Sequence, residues 1–190
     1  MLQPSPPLIT RHDYEAMREG PPYYQVIEGD LLMSPSPTTY HQELIGRIFS
    51  AIDRFLEKRR LGRVFLAPLD VFLTETNVFQ PDVMFVSKDH SSIITAKGIE
   101  GAPDLVIEIL SPSTAVYDKR SKRKIYARTG VQEFWLVDPE IKQIQIFHLA
   151  EDSETPVATH GPKAVFSSRL LPGLKFKASS IFRNPSTTWN

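Results

Sequence analysis

The chain has 190 residues, 41% of them apolar, and its 22 lysine and arginine residues equal its 22 aspartate and glutamate residues. This length and apolar content suit one domain with one core, and the balanced charge excludes a long-range attraction to polyanions. Any contact with nucleic acid must therefore come from a local cluster of charge. The absence of cysteine excludes disulfides and thiolate metal sites.

We expect no targeting signal in the first residues of the chain. Met1 to Pro7 contain three prolines, no basic residue and no apolar stretch. No apolar run of the chain approaches the roughly 18 residues needed to cross a bilayer. We expect a cytoplasmic protein that does not enter the membrane, with one domain over 1–190 and a disordered segment at 1–10.

The first third of the chain predicts a short helix, a hairpin and a long helix. Residues 11–19 suit the short helix, and 24–33 are typical of two strands joined by a Glu-Gly-Asp turn. Over 39–60 apolar residues recur every three or four positions, as in an amphipathic helix. Thr39 and Gln42 have the spacing of a capping box at its start.

The centre of the chain predicts strands followed by a basic helix. Segments 63–73 and 78–86 are typical of strands, and 87–101 is a polar loop. The near-continuous apolar run at 105–110 indicates a central strand covered on both faces. A basic helix is expected over 116–128, with a glycine in the C-terminal capping place.

The last third predicts two more strands, at 133–137 and 144–149, then a loop over 151–163. The segments expected to pack the C-terminus back onto the domain are 170–176 and 180–182. The order helix, strand, strand, strand, helix, strand predicts an α/β (mixed α+β) fold. In such a fold a mixed central sheet is flanked by helices, here with an N-terminal β-hairpin.

Two carboxylates stand where strands should be apolar. Asp82 lies in the predicted strand 78–86, and Glu108 lies in 105–110. An ionised carboxylate in a buried strand is costly unless a metal, a donor or a positive charge compensates it. If the strands are neighbours, both acids can share one divalent cation, and their oxygen ligands favour Mg²⁺ or Mn²⁺. Each acid also has an ordinary interpretation, Asp82 as a strand start after proline and Glu108 as a buried ion pair.

The basic helix directs a lysine toward this pair. At about 100° per residue, Asp118, Lys122, Ile125 and Tyr126 share one side, and the apolar members indicate that this side faces the sheet. Lys122 then points inward near Glu108, unless its stem follows the sheet edge to solvent. Asp, Glu and Lys are the groups that phosphodiester hydrolysis requires, because a metal activates water and a lysine stabilises charge on the phosphate oxygens.

These residues lie in strings that resemble the Uma-two family, a large bacterial group classed as restriction endonucleases in the PD-(D/E)XK nuclease superfamily. The matching strings are Pro81-Asp82-Val83, residues 103–114, Asp118, Lys122 and Tyr126 at spacings of four, residues 130–139, and, in support, Tyr24 to Asp30, His41 and residues 171–174. The resemblance covers almost the whole chain.

The resemblance implies a restriction-endonuclease-like core in which Asp82 and Glu108 bind the metal. Two departures matter. The lysine expected two residues after the glutamate is replaced by Leu110, and Lys122 matches the helix lysine of the family instead. Gln25 stands where the family more often has an acid, which weakens the site if that acid assists metal binding. We expect a Mg²⁺- or Mn²⁺-dependent endonuclease acting on DNA, with Asp82, Glu108 and Lys122 as catalytic residues.

Several further residues are accessory candidates with ordinary alternatives. His41, in the first turn of the long helix, could touch a phosphate or a metal-bound water, or could simply bond to the backbone. Tyr126 and Asp118 could assist the catalytic groups. Glu43 is typical of a solvent-facing helix acid. Asp70 could be a second acid near the site, but its position favours an edge or turn role.

Two basic clusters could contact phosphates without reading bases. One is residues 58–63, and the other contains Lys119, Arg120, Arg123 and Lys124 beside Lys122. Charge runs are more often solvated faces. A homodimer is plausible, because cutting both strands needs two sites.

Two other functions stay open. The chain could be a non-catalytic module that keeps the nuclease scaffold to bind nucleic acid or a protein, which Gln25 and the neutral charge favour. It could also be a structural dimerisation domain in which the two acids pair with Lys122.

Overall fold

The computed structural model describes residues 7–17, 20–111 and 121–183. Its helices are α1 (Arg11–Glu15), α2 (Thr39–Leu56), α3 (Arg123–Thr129) and α4 (Ala178–Ile181), with a 3-10 helix at Lys88–Ile93. Its strands are β1 (Tyr24–Ile27), β2 (Asp30–Met33), β3 (Gly62–Leu66), β4 (Val71–Thr74), β5 (Asn77–Phe79), β6 (Val83–Ser87), β7 (Leu105–Ile109), β8 (Glu133–Asp138), β9 (Gln143–His148), β10 (Ala158–His160), β11 (Val165–Phe166) and β12 (Phe176–Lys177).

A mixed sheet of six strands, in the order β10-β9-β8-β7-β6-β3, forms the centre of the fold. β7 pairs in parallel with β8 and antiparallel with β6. All five residues of β7 are buried, as the continuous apolar run predicts for a strand covered on both faces. The predicted fold class, a mixed sheet flanked by helices, is confirmed.

The predicted N-terminal hairpin belongs to a second sheet, of order β2-β1-β5-β4. β1 and β2 pair antiparallel from Tyr24 opposite Met33 to Ile27 opposite Asp30. Glu28 and Gly29 join them with positive φ angles of 52° and 87°. Two positive φ angles match the right-handed twist of the flanking strands, so this turn sets the register of the hairpin.

The two faces of β7 belong to different parts of the core. Ile107 and Ile109 pack in the cluster that contains the apolar face of α2. Val106 packs in the cluster that contains Ile125 and Tyr126 of α3. Glu108 alternates with Ile107 and Ile109 and so lies on the α3 side. The two helices therefore cover opposite faces of the sheet.

The long helix differs from its prediction at both ends. Its N-cap is Thr38, whose side chain accepts a hydrogen bond from the His41 amide, one residue before the predicted Thr39. α2 ends at Leu56 rather than near Arg60. Arg60 takes a positive φ of 48°, which a continuing right-handed helix excludes.

Proline divides each of the two predicted strands 63–73 and 78–86. The first becomes β3 and β4 on either side of Pro68, and the second becomes β5 and β6 on either side of Pro81. Proline has no N–H to donate to a ladder. β4 and β5 belong to the small sheet while β3 and β6 belong to the large one, so the prolines mark where the chain changes sheet.

Other predictions were partly right. The predicted helix 11–19 is α1, which is shorter, and β8 and β9 confirm the two later strands. The predicted loops 87–101 and 151–163 contain the 3-10 helix and β10. β10 exists because it pairs with β9, which local composition does not reveal.

The basic helix and the C-terminus follow their predictions where they are described. α3 ends at Gly130, whose positive φ of 105° confirms the predicted cap. Residues 112–120, which include the first part of that predicted helix, lie outside the described residues. Leu171, Phe176 and Ile181 pack in the core cluster beneath α2, which confirms that the C-terminus returns to the domain. Among the described residues, no helix has the length and apolar character needed to cross a bilayer.

Candidate active site

The two acids that the sequence singles out lie on neighbouring strands. In the antiparallel β6–β7 pair, Val83 stands opposite Ile107 and Met84 opposite Val106. One further step of the same register places Asp82 opposite Glu108. Directly opposed residues project from the same face of a sheet, so both carboxylates lie on the α3 side, at the end of β7 and the start of β6.

Glu108 is compensated by a cation and a hydroxyl donor. Its side chain is almost completely buried, and its Oε1 accepts from Lys122 Nζ at 3.1 Å and from the Tyr126 hydroxyl at 2.6 Å. Lys122 is only 4% exposed. The expectation that Lys122 points inward is confirmed, and the alternative that it extends to solvent is wrong. A buried carboxylate needs such partners, and the helix provides both of them.

The apolar face of α3 positions these two partners. Tyr126 is fully buried, and its ring packs edge-on against Phe79 with centroids 5.4 Å apart. Lys122 Nζ lies 5.6 Å from the centre of the same Phe79 ring. Lys122 and Tyr126 are one helical turn apart and share a side, so packing of the tyrosine also directs the lysine.

Asp82 is the more accessible of the two acids. Its Oδ2 accepts a hydrogen bond from the backbone amide of Ile109 at 2.7 Å. The side chain of Asp82 retains 16% exposure, against 4% for that of Glu108. The backbone of β7 therefore orients Asp82 without closing it off from water.

His41 joins this group from the opposite helix. Its Nε2 lies 3.0 Å from the Ile109 carbonyl oxygen and 3.4 Å from Asp82 Oδ2. Burial lowers the pKa of His41, but the hydrogen bond and charge of Asp82, the Ile109 carbonyl and the charge of Glu108 outweigh it and raise the pKa overall. Among the described residues, its buried Nδ1 has no hydrogen-bond partner. His41 thus bonds to backbone and touches the acid at once.

Gln25 and Asp70 belong to a network beside the site. Gln25 Oε1 accepts from the backbone amide of Gln80 at 3.3 Å, two residues before Asp82. The Gln80 side chain donates to Asp70 Oδ1 at 2.8 Å, and the Tyr14 hydroxyl donates to the same oxygen at 2.8 Å. These contacts hold the segment that leads into Asp82.

The predicted nucleic-acid contacts are only partly described. Arg123 pairs with Glu154 at 3.0 Å and stacks over Phe147, while Lys124 is 65% exposed and lies 4.0 Å from Glu154. In the other basic cluster, Arg59 covers the Phe55 ring. The candidates outside the described residues are Asp118, Lys119 and Arg120.

Two buried acids were not anticipated from the sequence. Asp104 accepts from the Ser87 amide at 2.7 Å and from Gln132 Nε2 at 2.8 Å. Glu133 accepts from Trp135 Nε1 at 2.6 Å. The sequence did contain a signal for both residues, because Asp104 directly precedes an apolar strand and Glu133 begins one. Both lie where the parallel strands β7 and β8 begin, at the end of the sheet away from Asp82, so we assign them structural roles.

The carboxylate oxygens of Asp82 and Glu108 are the type of ligand that a hard, partly hydrated cation prefers. Mg²⁺ is commonly held by one or two carboxylates and several waters, and Mn²⁺ takes similar ligands. The described residues contain no group of three His, Asp or Glu side chains that could hold a metal ion. A closed all-protein site does not fit this arrangement, whereas a two-carboxylate site completed by water does.

Comparisons with known proteins agree with this fold. The crystal structure of "a putative nuclease belonging to DUF820" from Anabaena variabilis superposes with a TM-score of 0.75 at 23% identity, covering 92% of this chain and 97% of that one. Two uncharacterized proteins of Synechocystis are similar in sequence. One, slr1290, is 30% identical over 82 residues, which is 43% of each chain. The other, sll1609, is 21% identical over 132 residues, 68% of this chain and 74% of that protein.

The first of these relatives thus matches less than half its length, and the crystal structure establishes the fold alone. A family model carries the identification. The model of the Uma2 family, described as "Putative restriction endonuclease", matches residues 11–179. The chain therefore belongs to the Uma2 family, as its sequence strings predicted.

Proposed function

We propose that this protein is a Mg²⁺- or Mn²⁺-dependent endonuclease that hydrolyses phosphodiester bonds in DNA. The observation that carries the proposal is the convergence of Asp82, Glu108 and Lys122 on one face, where β6 begins and β7 ends. Membership of the Uma2 family supports the same chemistry.

Each residue of the site has a role in this proposal. Asp82 and Glu108 would hold the cation, which when bound polarises a phosphate and lowers the pKa of an attacking water. Lys122 would stabilise the negative charge that grows on the phosphate oxygens. His41 positions Asp82 and the Ile109 carbonyl, and Tyr126 positions Glu108.

Cleavage of plasmid DNA by the purified protein tests the proposal. Native protein should cut with Mg²⁺ or Mn²⁺ and stop when EDTA is added. Asp82→Asn, Glu108→Gln and Lys122→Met should each lower the rate by at least about a hundredfold, since the first two remove a metal ligand and the third removes the cation that stabilises the developing charge.

Glu133→Gln is the matched control for Glu108→Gln. Glu133 is also a buried strand glutamate, but it lies in β8 and bonds to Trp135. The Glu133→Gln variant should cut DNA at the native rate. A native protein that cuts no DNA with either metal, or an Asp82→Asn variant that cuts normally, would refute the proposal.

A non-catalytic module on the same scaffold is the second candidate. The observation that favours it is the burial of the Lys122–Glu108 pair, each side chain being 4% exposed. Metal titration separates the two functions, because a ligand that binds the native state raises its melting temperature. The endonuclease should be stabilised by Mn²⁺, and Asp82→Asn should not. A binding module shows no metal stabilisation in either protein.

We also propose that two copies act together on duplex DNA. Cutting both strands requires two active sites, and a two-fold dimer supplies them in the correct relation. Sedimentation of the protein with duplex DNA should give two copies per duplex, while a single copy per duplex would restrict the enzyme to nicking.

A further inference from the structure

A basic groove lies between α2 and α4, outside the candidate active site. It encloses about 1140 Å³. The cations that line it are Arg47, Arg54, Lys175, Lys177 and Arg183, and Glu43 is its one carboxylate. The whole chain carries no net charge, so this is a local concentration of positive charge.

The single acid of the groove is already neutralised. Glu43 accepts a hydrogen bond from the guanidinium of Arg47, one turn along α2. The same guanidinium donates to the carbonyl oxygen of Ile181 at 2.9 Å and to that of Arg183. Arg47 therefore anchors α4 to α2 and balances Glu43, and it leaves four other cations to define the charge of the groove.

Those four cations face the groove without acidic partners. In the described part of the chain, no carboxylate forms an ion pair with Arg54, Lys175, Lys177 or Arg183, and Arg54 donates only to the Ser50 carbonyl at 3.0 Å. Several surface arginines elsewhere pair with acids: Arg11 with Glu15, Arg123 with Glu154, Arg128 with Glu28 and Arg169 with Glu151. The described residues give the four groove cations no such pair.

We infer that this groove binds the phosphodiester backbone of the nucleic acid that the active site cuts. The inference rests on the proposed function, because it assigns the same substrate a second contact. Four unpaired cations match the regular charge of a phosphate chain, and the hydroxyls of Ser50, Ser179 and Ser180 add neutral donors. Such contacts give affinity and orientation without reading base sequence.

The dimensions of α2 fit this role. Ser50 and Arg54 lie one turn apart on one row of α2, about 6 Å along its axis. One strand of B-DNA presents a phosphate about every 3.4 Å of axis. These two donors therefore match about two adjacent phosphates of one strand.

The groove also begins close to the active site. His41, in the first turn of α2, points to the sheet. Glu43, two residues later, is the first residue of α2 that lines the groove. The Tyr40 hydroxyl donates to the Phe182 carbonyl at 3.5 Å, which brings Arg183 beside the first turns of α2. Although Asp82 lies on the α3 side of the sheet, His41 of α2 contacts it, so a nucleic acid at Asp82 can pass His41 and continue along the outer face of α2.

Salt-dependent binding to a fluorescent 20-base-pair DNA duplex tests the inference. Anisotropy is measured in EDTA, so that binding is separated from cutting. Lys175→Gln/Lys177→Gln should lower the slope of log affinity against log salt by about two, and Arg54→Gln should lower it by about one. At 0.1 M salt, the double variant should bind about 60-fold more weakly, because each lost contact releases about 0.9 fewer counterions.

Lys88→Gln is the matched control. Lys88 is an exposed lysine at the end of β6 away from Asp82, and its variant should keep the native slope. All four substituted side chains are exposed, and a native melting temperature for each variant verifies folding. A double variant with the native slope and affinity would overturn the inference.

Two further experiments separate this inference from the proposed function. Asp82→Asn should bind the duplex with the native slope while cutting nothing. If the native protein binds through the groove but never cuts with Mn²⁺, only the proposed function is refuted. If it cuts and the groove variants bind normally, only this inference is refuted. A matched RNA duplex shows which nucleic acid the groove binds. Groove-dependent binding to the DNA duplex, with or without binding to the RNA duplex, supports the inference. Groove-dependent binding to neither duplex overturns it.

Discussion

The ammonium of Lys122 lies 3.1 Å from the carboxylate of Glu108, although the two residues belong to a helix start and a strand. Leu110, two residues after Glu108, packs on the same α3 side of the sheet. The strand therefore presents an apolar side chain where a cation would complete the acid pair, and the helix supplies that cation.

The Lys122–Glu108 contact predicts strong energetic coupling. Lys122→Met should lower the free energy of unfolding by about 3–5 kcal/mol, because it leaves a buried carboxylate without its cation. Adding Glu108→Gln to Lys122→Met should recover part of that loss, since the buried negative charge is then removed as well. Urea unfolding of the two single variants and the double variant measures the coupling.

Lys88→Met serves as the control for this cycle, because Lys88 is exposed. Its effect should stay within about 0.5 kcal/mol. Additive losses in the double variant would contradict the coupling and show that the two charges act independently.

The hydroxyl of Tyr126 should contribute through Glu108 as well. Tyr126→Phe keeps the ring, which packs against Phe79 and Phe134, and removes the hydroxyl that donates to the carboxylate at 2.6 Å. A hydrogen bond to a charged group contributes about 1.5–3 kcal/mol, so stability should fall by that amount. Tyr40→Phe removes a longer bond, of 3.5 Å, to a carbonyl. If Tyr126→Phe lowers the free energy of unfolding no more than Tyr40→Phe does in the same assay, the prediction is wrong.

Much of the site followed from local sequence pattern. Asp82 and Glu108 were identified because a charge interrupts an apolar strand, and Lys122 because helix periodicity places it beside Ile125 and Tyr126. Each of these signals can be recognised from the residue periodicity of a single strand or helix. The pairing of the strands, which brings the acids to one face, was an assumption that the antiparallel register confirms.

What the sequence did not reveal depends on long-range pairing. The division of 63–73 and 78–86 between two sheets was missed although Pro68 and Pro81 stand at the breaks. The basic groove was missed because Arg54 and Lys175 are far apart in sequence and meet only through the packing of α4 on α2. The linear pattern indicates only charge runs, such as 58–63. Clusters assembled by tertiary structure have no signature in a linear scan.

His41 should make stability depend on pH. Because the folded state raises the pKa of His41, the protonated form gains more from folding than the neutral form. That contribution is complete below the unfolded pKa of about 6.5 and is lost as pH rises through the folded pKa. The native protein should therefore lose stability relative to His41→Gln as the pH rises above about 6.5, as measured by urea unfolding at each pH.

Nuclear magnetic resonance of the His41 ring checks the cause. In Asp82→Asn the pKa of His41 should fall, because the neighbouring carboxylate charge is gone. His12→Gln, at an exposed histidine of α1, is the matched control and should leave the pH dependence unchanged. An unchanged His41 titration in Asp82→Asn, or a relative stability that rises with pH, would contradict the assignment.

Two glycines should respond to alanine in opposite directions. Gly130 ends α3 with a φ of 105°, where a side chain is strained even though its Cβ would meet only Ala102 at 3.9 Å. Gly130→Ala should therefore cost roughly 1–2 kcal/mol. Gly46 lies within α2, and a Cβ there meets nothing within 4 Å, so Gly46→Ala should add about 0.5–1 kcal/mol. Urea unfolding of both variants gives the test. Since α3 carries Tyr126, a Gly130→Ala variant as stable as the native protein would mean that the cap does not hold α3 against the sheet.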